Sequence, residues 1–110
     1  MIMNIILSPT RTDTIVNYEK KGKTLIIDGQ IADFSRMQDG DTLPRQAIDS
    51  IWFDEDVTMN DGVLTLTIVL PLPENYSQEQ AFPLPLIDVP DGVLNLPKPL
   101  LKSFEEGVSI

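Results

Sequence analysis

The chain contains no cysteine and no histidine, and each absence removes a class of chemistry. Without cysteine there is no disulfide framework, no thiolate nucleophile and no thiolate-ligated zinc. Without histidine the usual general base near neutral pH is missing, and no serine can be activated by a Ser-His-Asp arrangement. Gly-rich phosphate loops and a Gly-x-Ser-x-Gly elbow are absent too. We therefore expect a non-enzymatic protein without a cofactor.

Positive charge is scarce, especially in the second half of the chain. The formal net charge is −9; residues 1–50 carry six Lys or Arg against seven Asp or Glu, whereas residues 51–110 carry two against ten. A protein of this sign repels phosphate backbones, so nucleic-acid binding is not expected. No apolar run approaches the roughly 18 residues of a membrane-spanning helix, and no membrane partner is expected. The acidic half is expected to serve solubility or contact with a basic partner.

Asp-Gly pairs recur along the chain. Four of the six glycines follow an aspartate, and two of these pairs lie between apolar, β-branched runs. Because Asp-Gly suits the positive φ angles of a type I′ turn, the pattern predicts antiparallel hairpins. The apolar start is predicted to be a strand and not a signal peptide. The first half is predicted to contain strands at 4–7, 14–20, 24–27 and 30–34, the last three forming a meander, and then a helical turn within 42–50.

A second hairpin follows. Leu64, Leu66, Ile68 and Leu70 alternate with threonines, the period-two pattern of a half-buried strand over 63–70. Its partner is predicted to begin at Ile51–Phe53 and to continue through 57–59, with Asp61-Gly62 as the turn.

The remainder is rich in proline. Seven of the nine prolines lie between Pro71 and Pro99, and proline cannot donate to the ladder of a central strand. Ser77 and Gln80 have the spacing of a capping box. Further strands are predicted at 84–89 and 93–96. The chain is thus predicted to be mainly β: an antiparallel meander plus a second hairpin, forming a small sandwich or partly open barrel covered by a Pro-rich segment. Residues 1–97 form this single domain, and 98–110 form a C-terminal tail that is free to move when the chain is alone.

Two kinds of site suggest themselves. Asp54, Asp56 and Asp61 belong to the densest carboxylate cluster, and a small-ligand or cation-binding accessory domain built on them is the alternative function. Consecutive acids in a strand point to opposite faces, however, so we expect an exposed acidic edge and no bound metal. Whether the cluster binds a cation stays open at this point.

Large apolar side chains in the second half are the better candidates for contact with a partner. Trp52 and Phe53 are adjacent in a predicted strand, so their rings point to opposite sides, and one of them needs cover from the Pro-rich segment or from another chain. Leucines alternating with prolines provide apolar anchors on a stiff backbone. The predicted interaction residues are Trp52, Phe53, Leu72, Tyr76, Phe82 and Leu84.

Several ordered motifs resemble a family. They are Leu25-Ile26-Ile27-Asp28-Gly29 through Phe34-Ser35, Asp39 to Pro44, Ser50 to Phe53, Leu70 to Pro73 with Asn75-Tyr76-Ser77, and Ala81-Phe82-Pro83 through Val89 to Gly92. Over residues 4–97 the chain resembles small uncharacterised proteins encoded in the tail-gene regions of phages and prophages of Gram-negative bacteria. The resemblance implies a phage tail-associated role, as an assembly factor or minor tail component, with phage tail proteins as partners. The implied location is the bacterial host cytoplasm during assembly, with the virion and self-association left open. The resemblance implies no catalytic or binding residues.

Overall fold

The computed structural model describes residues 2–101, which form a mainly β domain of two four-stranded sheets. The strands are β1 (Ile2–Arg11), β2 (Tyr18–Lys21), β3 (Thr24–Ile27), β4 (Gln30–Asp33), β5 (Thr42–Leu43), β6 (Val57–Asn60), β7 (Val63–Leu72) and β8 (Gly92–Val93). One sheet has the order β1-β7-β6-β5 and the other β4-β3-β2-β8. The predicted small β domain is confirmed, and the sheets are not closed into a barrel.

The predicted meander is formed by β2, β3 and β4. Asp28 and Gly29 have φ angles of 49° and 84°, the left-handed values that a type I′ turn requires at both central positions. The ladder of β2 starts at Tyr18, later than the predicted start at residue 14. The next residue of β3, Asp28, already belongs to the turn. Its N–H still donates to the Asn17 carbonyl at 2.9 Å, but the Asn17 N–H donates to the Asp28 carboxylate, at 2.8 Å, and not to a ladder carbonyl.

The second predicted hairpin is formed by β6 and β7. Asp61 and Gly62 make the turn, with φ angles of 51° and 77°. The alternating leucine and isoleucine face of β7 is buried, as its period-two pattern predicts. The predicted strand at 51–53 is reduced to one bridge between Phe53 and Ile68. Five residue steps lead from Phe53 to Thr58 where β7 takes three. The Asp54 N–H still donates to the Thr67 carbonyl of β7 at 3.0 Å, so the two extra residues, Glu55 and Asp56, bulge out of the ladder.

The predicted first strand, 4–7, differs most from the observed strand β1. Strand β1 pairs with β7 in parallel over ten residues, and it continues through Pro9, where the sequence predicts its end. The Ile2 and Thr12 N–H groups donate to the carbonyls of Gly62 and Leu72, on the side of β1 that faces β7. The Ile5 N–H points to the opposite side and donates to the Leu86 carbonyl. Because backbone N–H groups alternate in direction along a strand, the nitrogen of Pro9 faces away from β7, as that of Ile5 does. The missing N–H of this proline therefore costs no hydrogen bond to β7.

The Pro-rich return pairs with both sheets but forms little regular strand. Leu86 and Ile5 exchange N–H···O bonds of 2.8 Å, and the Val89 N–H donates to the Met3 carbonyl at 2.9 Å. The chain then crosses to the other sheet, where β8 pairs with β2. The predicted strands at 84–89 and 93–96 are thus wrong in extent: within the first only Leu86 forms a bridge, and within the second only Val93 belongs to a strand. We call residues 86–94 the strap.

The predicted helical turn within 42–50 is short. Thr42–Leu43 is β5, and a single 3₁₀ turn follows at Arg45–Ala47. Pro44 precedes that turn in extended conformation, and no side chain caps it. Helix α1 (Gln78–Ala81) has the predicted capping box.

The core lies between the sheets and draws on both. Its largest fully buried side chains come from β1, β2, β3, β6 and β7 and from Phe53. The rings of Phe34 and Phe53 meet edge to face with centroids 5.8 Å apart. The Tyr18 hydroxyl crosses from β2 and donates to the Val69 carbonyl of β7 at 2.7 Å, so it joins the two sheets.

Candidate interaction surface

The structure separates the six predicted interaction residues into buried and accessible groups. Phe53 is 1% exposed and Leu72 is also buried, so neither is available to a partner. Phe53 is buried because its bridge to Ile68 turns its ring into the core. Trp52 is half-buried against the core and lines a recess with Ile48 and Ile51. Tyr76, Phe82 and Leu84 are exposed.

Helix α1 fixes the position of Phe82. The Ser77 hydroxyl accepts the Gln80 N–H at 3.2 Å, and the Gln80 side-chain oxygen accepts the Ser77 N–H at 3.1 Å. Such reciprocal bonds satisfy N–H groups that a helix start leaves free. The Phe82 N–H closes the other end by donating to the Gln78 carbonyl at 2.9 Å. The aromatic side chain therefore stands at the end of a well-capped turn.

The returning chain is tied to the same turn. The Ser77 hydroxyl donates to the Lys98 carbonyl at 2.7 Å. The Leu100 N–H donates to the Asn75 carbonyl at 2.8 Å. Lys98 and Leu100 belong to the predicted tail; of that tail, 98–101 is described and 102–110 lies outside the described residues.

An open groove of about 600 Å³ lies between α1 and the returning chain. Phe82 and Leu84 stand at this groove with 77% and 82% of their surface exposed. No backbone hydrogen bond joins residues 82–85 to β1, so the strap's ladder along β1 ends at Leu86. We call this site the Pro-rich groove; its apolar lining is Phe82, Leu84, Leu86, Leu96 and Pro97, with Gln78, Glu79, Asn95 and Lys98 as polar lining.

Sequence reasoning identified two of the five apolar lining residues, Phe82 and Leu84. Leu86, Leu96 and Pro97 were missed because the strap brings them together only through its pairing with β1 and β2. The run Phe-Pro-Leu-Pro-Leu at 82–86, which alternates apolar anchors with prolines, could have pointed to Leu86. No such pattern marks Leu96 and Pro97.

The acidic cluster is dispersed. Asp54 accepts a hydrogen bond from the Ser8 hydroxyl, and Asp56 accepts the Arg45 N–H at 2.7 Å. Asp61 is separated from both by β6, in the hairpin turn. Within residues 2–101, no three acidic, histidine or cysteine side chains come together as a possible metal site. The described structure therefore offers no observation that favours the cation-binding alternative.

Among the described residues there is no helix with the length and apolar character needed to cross a membrane. Comparison with protein-family models, with curated proteins and with solved structures finds no match for this chain.

Proposed function

We propose that this protein is a non-enzymatic, phage tail-associated protein that mediates protein–protein contact, either in tail assembly or as a minor tail component. The motif resemblance over residues 4–97 motivates the phage assignment. The observation that supports a role in protein–protein contact is the exposure of Phe82 and Leu84 at the Pro-rich groove. Monomeric proteins seldom expose clustered large apolar side chains without a binding role.

The partner in this proposal is a phage tail or tail-assembly protein in the host cytoplasm, and the complex can persist into the virion. An aromatic anchor flanked by leucines fits the usual centre of an interface, where a few buried apolar residues provide most of the binding energy. The net charge of −9 favours partners that present basic residues at the rim.

The test is mass spectrometry of particles from an induced lysogen that carries a tagged copy, with capture of tail proteins through the tag. We expect tail proteins to be captured by the wild type and lost with the double variant Phe82→Asp and Leu84→Asp. Ile87→Asp, an exposed strap position outside the groove, is the matched control.

The outcomes separate the possibilities. A stoichiometric presence in particles would identify a tail component, and capture from lysate alone would identify an assembly factor. Capture that is unchanged in the double variant would reject the Pro-rich groove, whereas absence of tail proteins from both preparations would reject the phage role.

A further inference from the structure

The four sheet edges differ in how they are protected against pairing with a further strand. The strap bonds to the outer edge of β1 and supplies β8, so that side of the sandwich is closed. Strand β5 has only two residues before Pro44. Strand β4 is a four-residue edge, Gln30–Asp33, without proline, lysine or a bulge, which are the usual devices against strand addition.

The outward-facing backbone groups of β4 follow from its register. The two-residue turn pairs Ile27 with Gln30, and the Phe34 N–H bonds to the Lys23 carbonyl at 2.9 Å. Even-numbered residues of β4 therefore bond to β3, and the odd-numbered ones face outward. The N–H and C=O groups of Ile31 and Asp33 point away from the sheet, and no backbone group within residues 2–101 bonds to them.

Beside this edge lies a recess that can receive side chains. Its volume is about 170 Å³, and Ala32, Leu43 and Ile48 contribute to its lining. That is below the roughly 300 Å³ of ordinary small-molecule pockets, but it is enough for single aliphatic side chains. A second recess, of about 520 Å³, adjoins it at Gln30 and Ile48 and is lined by Ile51 and Trp52. We call β4 and these recesses the β4 edge groove.

The residues along the edge specify what would fit. In a strand added to β4, residues opposite Gln30 and Ala32 would point toward the recess, and residues opposite Ile31 and Asp33 would lie on the outer face. Ile31 is 72% exposed and offers an apolar contact there. Asp33 offers a carboxylate, and Asp49 lines the recess. A matching segment alternates apolar side chains toward the recess and has a basic residue opposite Asp33.

We propose that the β4 edge binds an extended segment of a partner protein by strand addition, using the outward backbone groups of Ile31 and Asp33. The segment is apolar at alternate positions and carries lysine or arginine opposite Asp33. This mode obtains affinity from main-chain bonds and specificity from pockets for alternate side chains. A second copy is the less suitable occupant, because each chain has a net charge of −9. The site is separate from the Pro-rich groove and does not depend on the phage assignment.

The probe is a library of random ten-residue peptides, selected on the full chain. We expect enrichment of peptides with alternating apolar residues and a lysine or arginine, and backbone amide shifts at Ile31 and Asp33 when a selected peptide is added. Ile31→Pro removes the outward N–H but no β3 ladder bond, and should weaken these peptides at least tenfold. Ile31→Lys, which places a positive charge two residues from Asp33 on the same outer face and so near the peptide's basic residue, is a second test. Ile87→Lys is the matched control and should bind as the wild type does.

Several results would overturn the proposal. These are failure to enrich such peptides, equal binding by the wild type and both Ile31 variants, and loss of binding with the Phe82→Asp and Leu84→Asp variant instead, which would place the peptides in the Pro-rich groove. A dimer of the wild type that Ile31→Pro dissociates would assign the edge to a second copy. Displacement of the selected peptides by a synthetic peptide of residues 102–110 would assign it to this chain itself. Circular dichroism verifies that each variant is folded.

Discussion

Aspartate carboxylates stabilise many turns of this protein by accepting backbone hydrogen bonds. Six of them accept a hydrogen bond from a backbone N–H: Asp28, Asp33, Asp39, Asp41, Asp56 and Asp91. Such bonds satisfy donors that a turn or strand end leaves without a ladder partner. Two of the six, Asp56 and Asp91, belong to the acidic second half of the chain, so part of the acidity there also stabilises the fold.

Tyr18 is the first residue for which we predict an effect. Tyr18→Phe removes the hydroxyl that joins β2 to the Val69 carbonyl and leaves a buried acceptor without this donor. We expect the free energy of unfolding to fall by about 1–3 kcal/mol. Urea denaturation, followed by Trp52 fluorescence, measures it. Tyr76→Phe is the matched control, and an equal loss there would contradict the role given to the Tyr18 bond.

The same hydroxyl predicts an alkaline transition. Burial, with a smaller contribution from the Asp28 charge, raises the pKa of Tyr18 far above its usual value. The folded state therefore holds this proton more tightly than the unfolded state does. The resulting stability is complete below the unfolded pKa of about 10 and declines as the pH rises above it. Denaturation series between pH 8 and 11.5 should show this decline in the wild type and a shallower one in Tyr18→Phe. Parallel curves would contradict it.

Asp91 predicts the corresponding acid transition. Hydrogen bonds from the Lys20 ammonium and the Gly22 N–H lower the pKa of Asp91 below its ordinary value. Its contribution to stability is present above the unfolded pKa of about 3.9 and is lost as the pH falls through the lower, folded value. Asp91→Asn should flatten stability against pH between about 5 and 2.5. Asp88→Asn removes another carboxylate of the strap; if it flattens the curve equally, the Lys20–Asp91 pair is not the cause.

At the scale of elements, short segments are held by caps and crossing bonds more than by their own ladders. Helix α1 has four residues, far too few for an isolated helix to be stable in water. Its capping box and the bond from Ser77 to Lys98 fix both the helix and the returning chain. The Pro-rich groove depends on this junction because its two walls meet there.

Removing the cap should therefore affect stability and the groove together. Ser77→Ala is expected to lower the free energy of unfolding by about 0.5–2 kcal/mol, the usual range for losing an N-cap. Amide hydrogen exchange should rise at Gln80 and Leu100. Ser77→Thr keeps a hydroxyl and is the matched control. Unchanged exchange in Ser77→Ala would show that the junction does not hold the returning chain.

At the scale of the whole molecule, the sandwich is closed on one side and open on the other. The strap bonds to β1 and β2, whereas the β4 edge has no backbone partner within the described residues. Both proposed contact surfaces follow from this asymmetry. The Pro-rich groove lies beside residues 82–85, which have no backbone bond to β1, and at the β4 edge the outward backbone groups of Ile31 and Asp33 have no backbone partner within the described residues.

A pair of phenylalanines tests the division between core and surface. Phe53→Ala should lower the free energy of unfolding by about 3–5 kcal/mol, because the ring is buried against Phe34. Phe82→Ala removes a ring of the same size from an exposed position, and the change should stay within about 0.5 kcal/mol. Thermal and chemical denaturation of both variants give the comparison. A large loss with Phe82→Ala would mean that Phe82 is part of the core and is not available for binding.

Much of the local structure follows from short residue patterns. Asp-Gly pairs specified two of the three tight hairpins, because few other residue pairs accept positive φ at two successive positions, and Gly22 lies in the turn of the third. The alternation over 63–70 specified the buried face of β7, and the Ser77–Gln80 spacing specified the capping box. For the candidate site, the sequence identified Phe82 and Leu84 as partner-contacting candidates.

Tertiary structure decided which strands meet and therefore which side chains are accessible. The parallel pairing of β1 with β7 joins segments about 60 residues apart, and no local rule encodes such a register. That pairing also directs Pro9 away from the ladder, against the local prediction that the strand ends there. Phe53 and Trp52 are equivalent in sequence pattern, and only the bridge to Ile68 makes Phe53 a core residue. Burial depends on what packs opposite a residue, and that is a property of the assembled sheets.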